Sequence, residues 1–194
     1  MISDKFIFLG VALNLVGMSN YVYYTLTGRV KPNRVTFFMW ALAGFTAFGA
    51  ELGKGVGLVA LMTFMVSLGP LATFIASFVN KKAYWQLSGF DFACGGLSVL
   101  GLLLWAVTRE GNLALLFSIL GDCAASTPTV IKAYKVPHTE SYGAYSLSAI
   151  SAVITLLTID KWTFANWGFP VYIFLICSVF TYLIGYRPRG RIGV

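Results

Sequence analysis

Charge is scarce in this chain: only 11% of its 194 residues are Asp, Glu, Lys or Arg, where a soluble domain carries about 25%. Histidine occurs once, as His138, and there is neither an HExxH helix nor a GxxxxGK[ST] loop, so zinc hydrolysis and ATP hydrolysis by this chain have no footing. Cys94, Cys123 and Cys177 are isolated in apolar stretches. They form no CxxC pair and no metal-ligand cluster, and read as small buried hydrophobes. No Ser/Pro-rich or strongly charged linker divides the sequence, which is expected to be one transmembrane domain over 1–194. Catalytic residues, metal and cofactor are all expected to be absent.

What the chain has instead is apolar surface: 58% of its residues are hydrophobic and 16% aromatic. Uncharged runs extend over Phe6–Gly28, Val35–Ala50, Gly55–Asn80, Phe92–Thr108, Ser141–Ile159 and Trp162–Tyr186. The first is too long, and too far from a small-residue cleavage pattern, for a signal peptide. A helix rises about 1.5 Å per residue, so roughly 20 residues cross a hydrocarbon layer about 30 Å thick. A seventh run, Gly111–Tyr134, is broken by Asp122 and Lys132. It still reads as a helix, because unpaired backbone is not tolerated in lipid, with Lys132 snorkelling to the interface. The expected spans are 6–27, 34–53, 56–79, 89–108, 112–134, 142–159 and 165–185, an all-α seven-helix bundle in which sequence neighbours pack together.

The net charge of +7 does not form a basic stripe interleaved with aromatics, which argues against nucleic acid. It is distributed by loop. Arg29, Lys31, Arg34, Lys81, Lys82, Lys132, Lys135, Arg187, Arg189 and Arg191 fall on one side, and Lys5, Lys54, Arg109 and Lys161 on the other. The positive-inside rule then puts the N-terminus outside and the C-terminus in the cytoplasm, in a bacterial cytoplasmic membrane.

Two loops are alike. Val30-Lys31-Pro32-Asn33-Arg34-Val35-Thr36-Phe37 and Lys135-Val136-Pro137-His138-Thr139-Glu140-Ser141-Tyr142 each run from a basic residue near a proline to a hydroxyl residue and an aromatic helix opening. The same register sets Trp40 opposite Tyr145 and Gly44 opposite Ala149, and Gly69-Pro70 has a counterpart in Phe169-Pro170. A duplication follows, in a 3+1+3 plan: residues 6–79 as the first three-helix repeat, 89–108 as a linker helix and 112–185 as the second repeat, parallel to the first. Parallel repeats facing each other across an axis along the membrane normal are one construction of an alternating-access path.

With this plan, the segment Pro128-Thr129-Val130-Ile131-Lys132-Ala133-Tyr134-Lys135-Val136-Pro137-His138-Thr139-Glu140-Ser141 resembles the proline-glutamine helix and following loop of the SWEET, SemiSWEET and PQ-loop (MtN3-like) transporter superfamily. The resemblance implies a rocking bundle, a hinge at Pro128, and a small solute such as a sugar or amino acid. Thr129 stands where the family has glutamine, and helices one, two and six lack the family's prolines, so the kinship implied is distant.

Polar residues inside the spans are the candidate site. Asp122, a carboxylate in a low-dielectric bundle, must pair, protonate or touch water, and suits proton coupling or a polar solute as well as a hub with Ser118, Ser126 and Thr127. Asn14 needs amide partners and lies deep in helix one; Asn20 is a secondary candidate, and interhelical bonding is the alternative for both. Trp40 and Tyr145 suit a pocket for a ring-shaped or amphipathic solute, or packing against neighbours. Pro70, Pro128 and Pro170 are candidate hinges, with Pro128 freeing a carbonyl near Ala124. Asp91, at the entry to helix four beside Phe90, Cys94 and Gly95, is the other secondary candidate; Glu51 and Asp160, and Asp91 in the alternative, are expected to be hydrated or paired at the interface, and His138 to be solvated. Gly95, Gly96, Ser98 and Gly101 suit close helix packing.

The function expected is an alternating-access permease or facilitator, not an enzyme, whose partners are the bilayer, a small solute, protons and a second copy of the chain. The alternatives are a non-transporting interaction or sensory protein and, further off, a membrane enzyme. The absence of a central lysine in the last span disfavours a retinal protein within the sensory class.

Overall fold

Where the sequence withholds charge, the backbone must satisfy its own hydrogen bonds, and helices result. The computed structural model describes residues 2–108 and 110–186, and among these there are seven α-helices and no strand. They are α1 (Ile7–Leu26), α2 (Arg34–Gly53), α3 (Ala60–Ala76), α4 (Gly89–Thr108), α5 (Gly111–Lys135), α6 (Tyr142–Leu157) and α7 (Phe164–Thr181), the last continued by a π turn over Tyr182–Tyr186. Among the described residues five stretches are long and apolar enough to cross a bilayer: 4–26, 34–53, 57–76, 111–135 and 164–186. The helix α6 is apolar but shorter. Together these are the helices of an integral membrane protein, and large side chains such as Phe8, Val16, Ile75 and Leu175 face outward from them. Arg109, Arg187, Arg189 and Arg191 lie outside the described residues, and so does the C-terminus whose side was expected.

The helix starts follow from local chemistry. The Asn33 side chain accepts from Thr36 N at 3.2 Å and caps α2. On α4, Ser88 and Asp91 form a capping box: Ser88 N donates to Asp91 Oδ2 at 2.6 Å, while Ser88 Oγ accepts from Asp91 N at 3.4 Å. Asn33 Nδ2 also donates to Asp91, which is thereby buried and tied to the start of α2. Asp91 is thus a structural cap.

Packing departs from simple sequence order. The helix α3 lies between α1 and α2, and α7 between α5 and α6. Across these groups α1 packs on α6 and α2 on α5, while α4 lies along α5 and α2. Sequence neighbours therefore pair as α2–α3, α4–α5 and α6–α7, whereas α1 lies against α3 and α6 rather than along α2. Small residues let two pairs of helix backbones come close. A Cβ on Gly17 would sit 3.3 Å from the Ala144 backbone, and one on Gly121 would sit 3.3 Å from Ser98 O. Ser98 Oγ donates to Gly121 O at 2.5 Å across that second seam. Gly121→Leu is expected to wedge α4 off α5 and cost about 1–3 kcal/mol, read as a lower unfolding midpoint in detergent. An unchanged midpoint would show the seam is not tight. Gly96 has open space around it and plays no such part.

The basic loops meet at one end of the bundle. Lys31 N donates to Thr139 O at 3.0 Å, Asn80 Nδ2 to Leu26 O at 2.7 Å and Arg34 Nη2 to Ser77 O at 2.7 Å. The Arg34 guanidinium lies over the rings of Phe78, at 4.1 Å, and Tyr84, at 5.1 Å. Arg29, Lys31, Arg34, Lys81, Lys82, Lys132 and Lys135 share this basic end.

Candidate functional site

Six helices leave a cavity of about 90 Å³ between them, running from mid-bundle toward the basic end. Its wall includes Asn14 of α1, Trp40 of α2, Val66 and Pro70 of α3, Asp122 of α5, Tyr145 and Ser148 of α6, and Phe169, Cys177 and Phe180 of α7. Asn14, Trp40, Asp122 and Tyr145, picked from separate stretches of sequence, border this one space.

The polar wall residues Asn14, Ser148, Trp40, Asp122 and Tyr145 are each held by hydrogen bonds. Asn14 Nδ2 donates to Ser151 Oγ at 2.5 Å, and its Oδ1 accepts from Ser148 Oγ at 2.9 Å. Asn14 is therefore both an α1–α6 tie and a cavity residue. Asp122 Oδ2 accepts from Tyr172 Oη at 2.5 Å, and its backbone carbonyl from Ser126 Oγ at 2.8 Å. Trp40 Nε1 donates to the same Ser126 Oγ at 2.9 Å, which joins α2, α5 and α7 in one network. No ion pair reaches Asp122 among the described residues. Of the hub expected around it, only Ser126 takes part. Ser118 Oγ is buried without a partner, and Thr127 bonds its own helix at Cys123 O, 3.1 Å away.

The apolar wall is aromatic. Tyr145 stacks on Phe180 with ring centroids 4.4 Å apart, and Trp40 meets both edge-on, at 6.4 Å from Tyr145 and 5.8 Å from Phe180. Phe37 extends the cluster 5.0 Å from Trp40 and 5.0 Å from Tyr21. Flat faces with hydroxyl and amide edges suit a compact solute with both apolar and hydrogen-bonding surface.

The floor at the basic end is an ionic lock that the sequence did not announce. Lys132 Nζ donates to Glu140 Oε1 at 2.5 Å, and both side chains are almost wholly buried. Glu140 Oε2 accepts from Tyr21 Oη at 2.6 Å and from Tyr145 Oη at 2.9 Å. Lys132 Nζ also donates to Lys31 O, and lies 4.9 Å from the centre of the Trp85 ring. Lys132 therefore does not snorkel into water, as its place near the helix end suggested. Its partner sits eight residues on, beyond a loop proline, and the usable signal was that an ammonium inside an apolar run demands a nearby acid.

Other expected residues lie apart from the cavity. Asn20 is half-buried beside Gly143. Pro128 and Pro170 are buried within α5 and α7 and do not line the space, whereas Pro70 does. Next to Ala124, whose carbonyl Pro128 leaves without a helical donor, Ala125 O accepts from Thr36 Oγ1 at 2.8 Å. Thr36 Oγ1 in turn accepts from Thr129 Oγ1 at 3.0 Å. Cys123 is exposed rather than buried, Cys94 is intermediate and Cys177 buried, and all are free thiols. Asp160 and His138 are exposed, but Glu51, expected at the hydrated interface, is completely buried. Among the described residues no group of three or more His, Cys, Asp or Glu is placed to hold a metal. Comparison with family models, with curated proteins and with solved structures finds nothing that matches this chain.

Proposed function

We propose that the protein is a permease that carries a small polar or amphipathic solute through the cavity bordered by Asn14, Trp40, Asp122 and Tyr145. The observation that carries this reading is the cavity itself. A bundle made only for packing would close around its polar residues, yet here four helices each bring one to a shared space.

The packing pattern supports a duplicated plan. Matching α1, α2 and α3 to α5, α6 and α7 in turn converts each principal contact into another: α1 on α6 becomes α5 on α2, and α3 between α1 and α2 becomes α7 between α5 and α6. That relation supports two parallel repeats with α4 as linker, and a distant kinship with the SWEET and PQ-loop transporters. In this reading the basic end faces the cytoplasm, the lock of Glu140 and Lys132 closes the cavity on that side, and transport consists of breaking it while the other end closes. Asp122, with Tyr172 as its donor, takes up or releases a proton as the cavity is exposed to one side and then the other.

The test is swelling of proteoliposomes under osmotic gradients of neutral amino acids, polyols and hexoses, followed by light scattering. The expected result is faster swelling for one class than in protein-free vesicles. No acceleration for any of them, with protein that unfolds cooperatively, sinks the reading. Asp122→Asn keeps the shape and an acceptor for Tyr172 but removes the titratable charge. It is expected to flatten the pH dependence of that flux, and an unaltered pH profile removes Asp122 from coupling.

A further inference from the structure

At the end away from the basic loops, a second acid is enclosed without the partners an anion needs. Glu51 stands in the last turn of α2 and is 0% exposed. One carboxyl oxygen accepts from Thr63 Oγ1 of α3 at 2.9 Å; the other, Oε2, has no hydrogen-bond partner. Ala47, one turn before Glu51 on α2, and Val59 and Ala60, where the chain enters α3, are apolar and buried.

Three physical terms act against an anion here. Burial removes the hydration of a carboxylate, a single hydroxyl donor replaces little of it, and the last turn of a helix presents the negative end of its dipole. No ion pair supplies the missing charge, because Lys132–Glu140 is the one salt bridge among the described residues. Lys54, three residues on at the end of α2, and Glu110, just before α5, are both exposed. The helix α3 carries no titratable side chain. On the other helices packed against α2, Asp91 of α4 is bound at the basic end, Asp122 of α5 is bonded to Tyr172 of α7, and Lys132 is bound to Glu140. Cys94, Cys123, Tyr134, Lys135 and Cys177 complete the titratable groups of the described parts of α4, α5 and α7.

We propose that Glu51 is a proton-binding site separate from the cavity, held as a neutral acid between α2 and α3 while this end of the bundle is closed. Losing the proton requires water, and water reaches Glu51 only when α2 and α3 part near Thr63. Proton release is thereby tied to opening of this end, whether or not a solute is carried. The inference stands apart from the transport reading, and flux has no place in its test.

The measurement is infrared spectroscopy of the full chain in lipid at neutral pH, with glutamate carbon-13 labelled at the side-chain carboxyl. The chain has three glutamates. Glu110 is exposed and Glu140 is paired with Lys132, so an isotope-shifted carboxylic acid C=O band belongs to Glu51. The expected result is such a band in the wild type, equivalent to one carboxyl per chain, which Glu51→Gln abolishes and Thr63→Val moves to higher frequency by removing its hydrogen bond. Labelled wild-type protein with carboxylate bands only overturns the proposal without recourse to either variant. An acid band that survives Glu51→Gln overturns it as well.

Discussion

Replacing Glu140 with alanine is expected to destabilise the protein by about 3–5 kcal/mol, the largest loss from any single polar side chain. The reason is what remains. Lys132 is left as a buried ammonium whose other polar contact is the Lys31 carbonyl, and the hydroxyls of Tyr21 and Tyr145 lose their common acceptor. The converse change, Lys132→Met, costs less, because Glu140 keeps the hydroxyls of Tyr21 and Tyr145 as donors. Combining Lys132→Met with Glu140→Gln removes both charges while retaining an acceptor for the tyrosines, and is expected to recover most of the loss. Unfolding midpoints in one detergent therefore rank wild type and the double variant above Lys132→Met, with Glu140→Ala lowest. A Glu140→Ala variant within about 1 kcal/mol of wild type would mean that the pair is already hydrated in the folded protein, as surface pairs of that small worth are.

The lock also shows where sequence reasoning stops. Lipid penalises charge so strongly that the uncharged runs expose the helices directly: α2 and α4 occupy the expected 34–53 and 89–108, while α1 and α5 differ from expectation by one residue at each end. Polar residues inside those runs were legible as exceptions, which is how Asn14 and Asp122 stood out. Trp40 and Tyr145 are ordinary aromatics in composition and were marked only by the register between two loops; their rings lie 6.4 Å apart. What periodicity does not encode is which helix lies against which. Lys132 inside an apolar run calls for an acid nearby, but its spacing from Glu140 does not say that the loops fold over the pair. Glu51 is concealed for the same reason. A carboxylate near the end of a span is ordinarily wet, and its burial follows from the way α3 returns along α2. Asp91 was legible as an interfacial acid, and its capping role rests on the Ser88-to-Asp91 spacing.

Filling the cavity distinguishes a passage from a packed polar core. Val66 borders the space from α3, makes no hydrogen bond with its side chain and is not one of the ionisable or amide residues proposed to touch solute. Val66→Trp adds a volume of the same order as the cavity, so the new ring occupies space that is already open. Such a substitution is expected to leave the unfolding midpoint within the shift that corresponds to about 1–2 kcal/mol, since overpacking is costly chiefly where no void exists. Solute-driven swelling is expected to fall to the rate of protein-free vesicles, while Val66→Ala, which enlarges the space, keeps it. The two effects are read on the same preparation. A Val66→Trp protein that is folded and still transports at the wild-type rate would place the route elsewhere and leave Asn14, Trp40, Asp122 and Tyr145 as ties between helices. Loss of flux with the fold intact, and with Val66→Ala active, ties the passage to this cavity, because no hydrogen bond, charge or helix end has been altered.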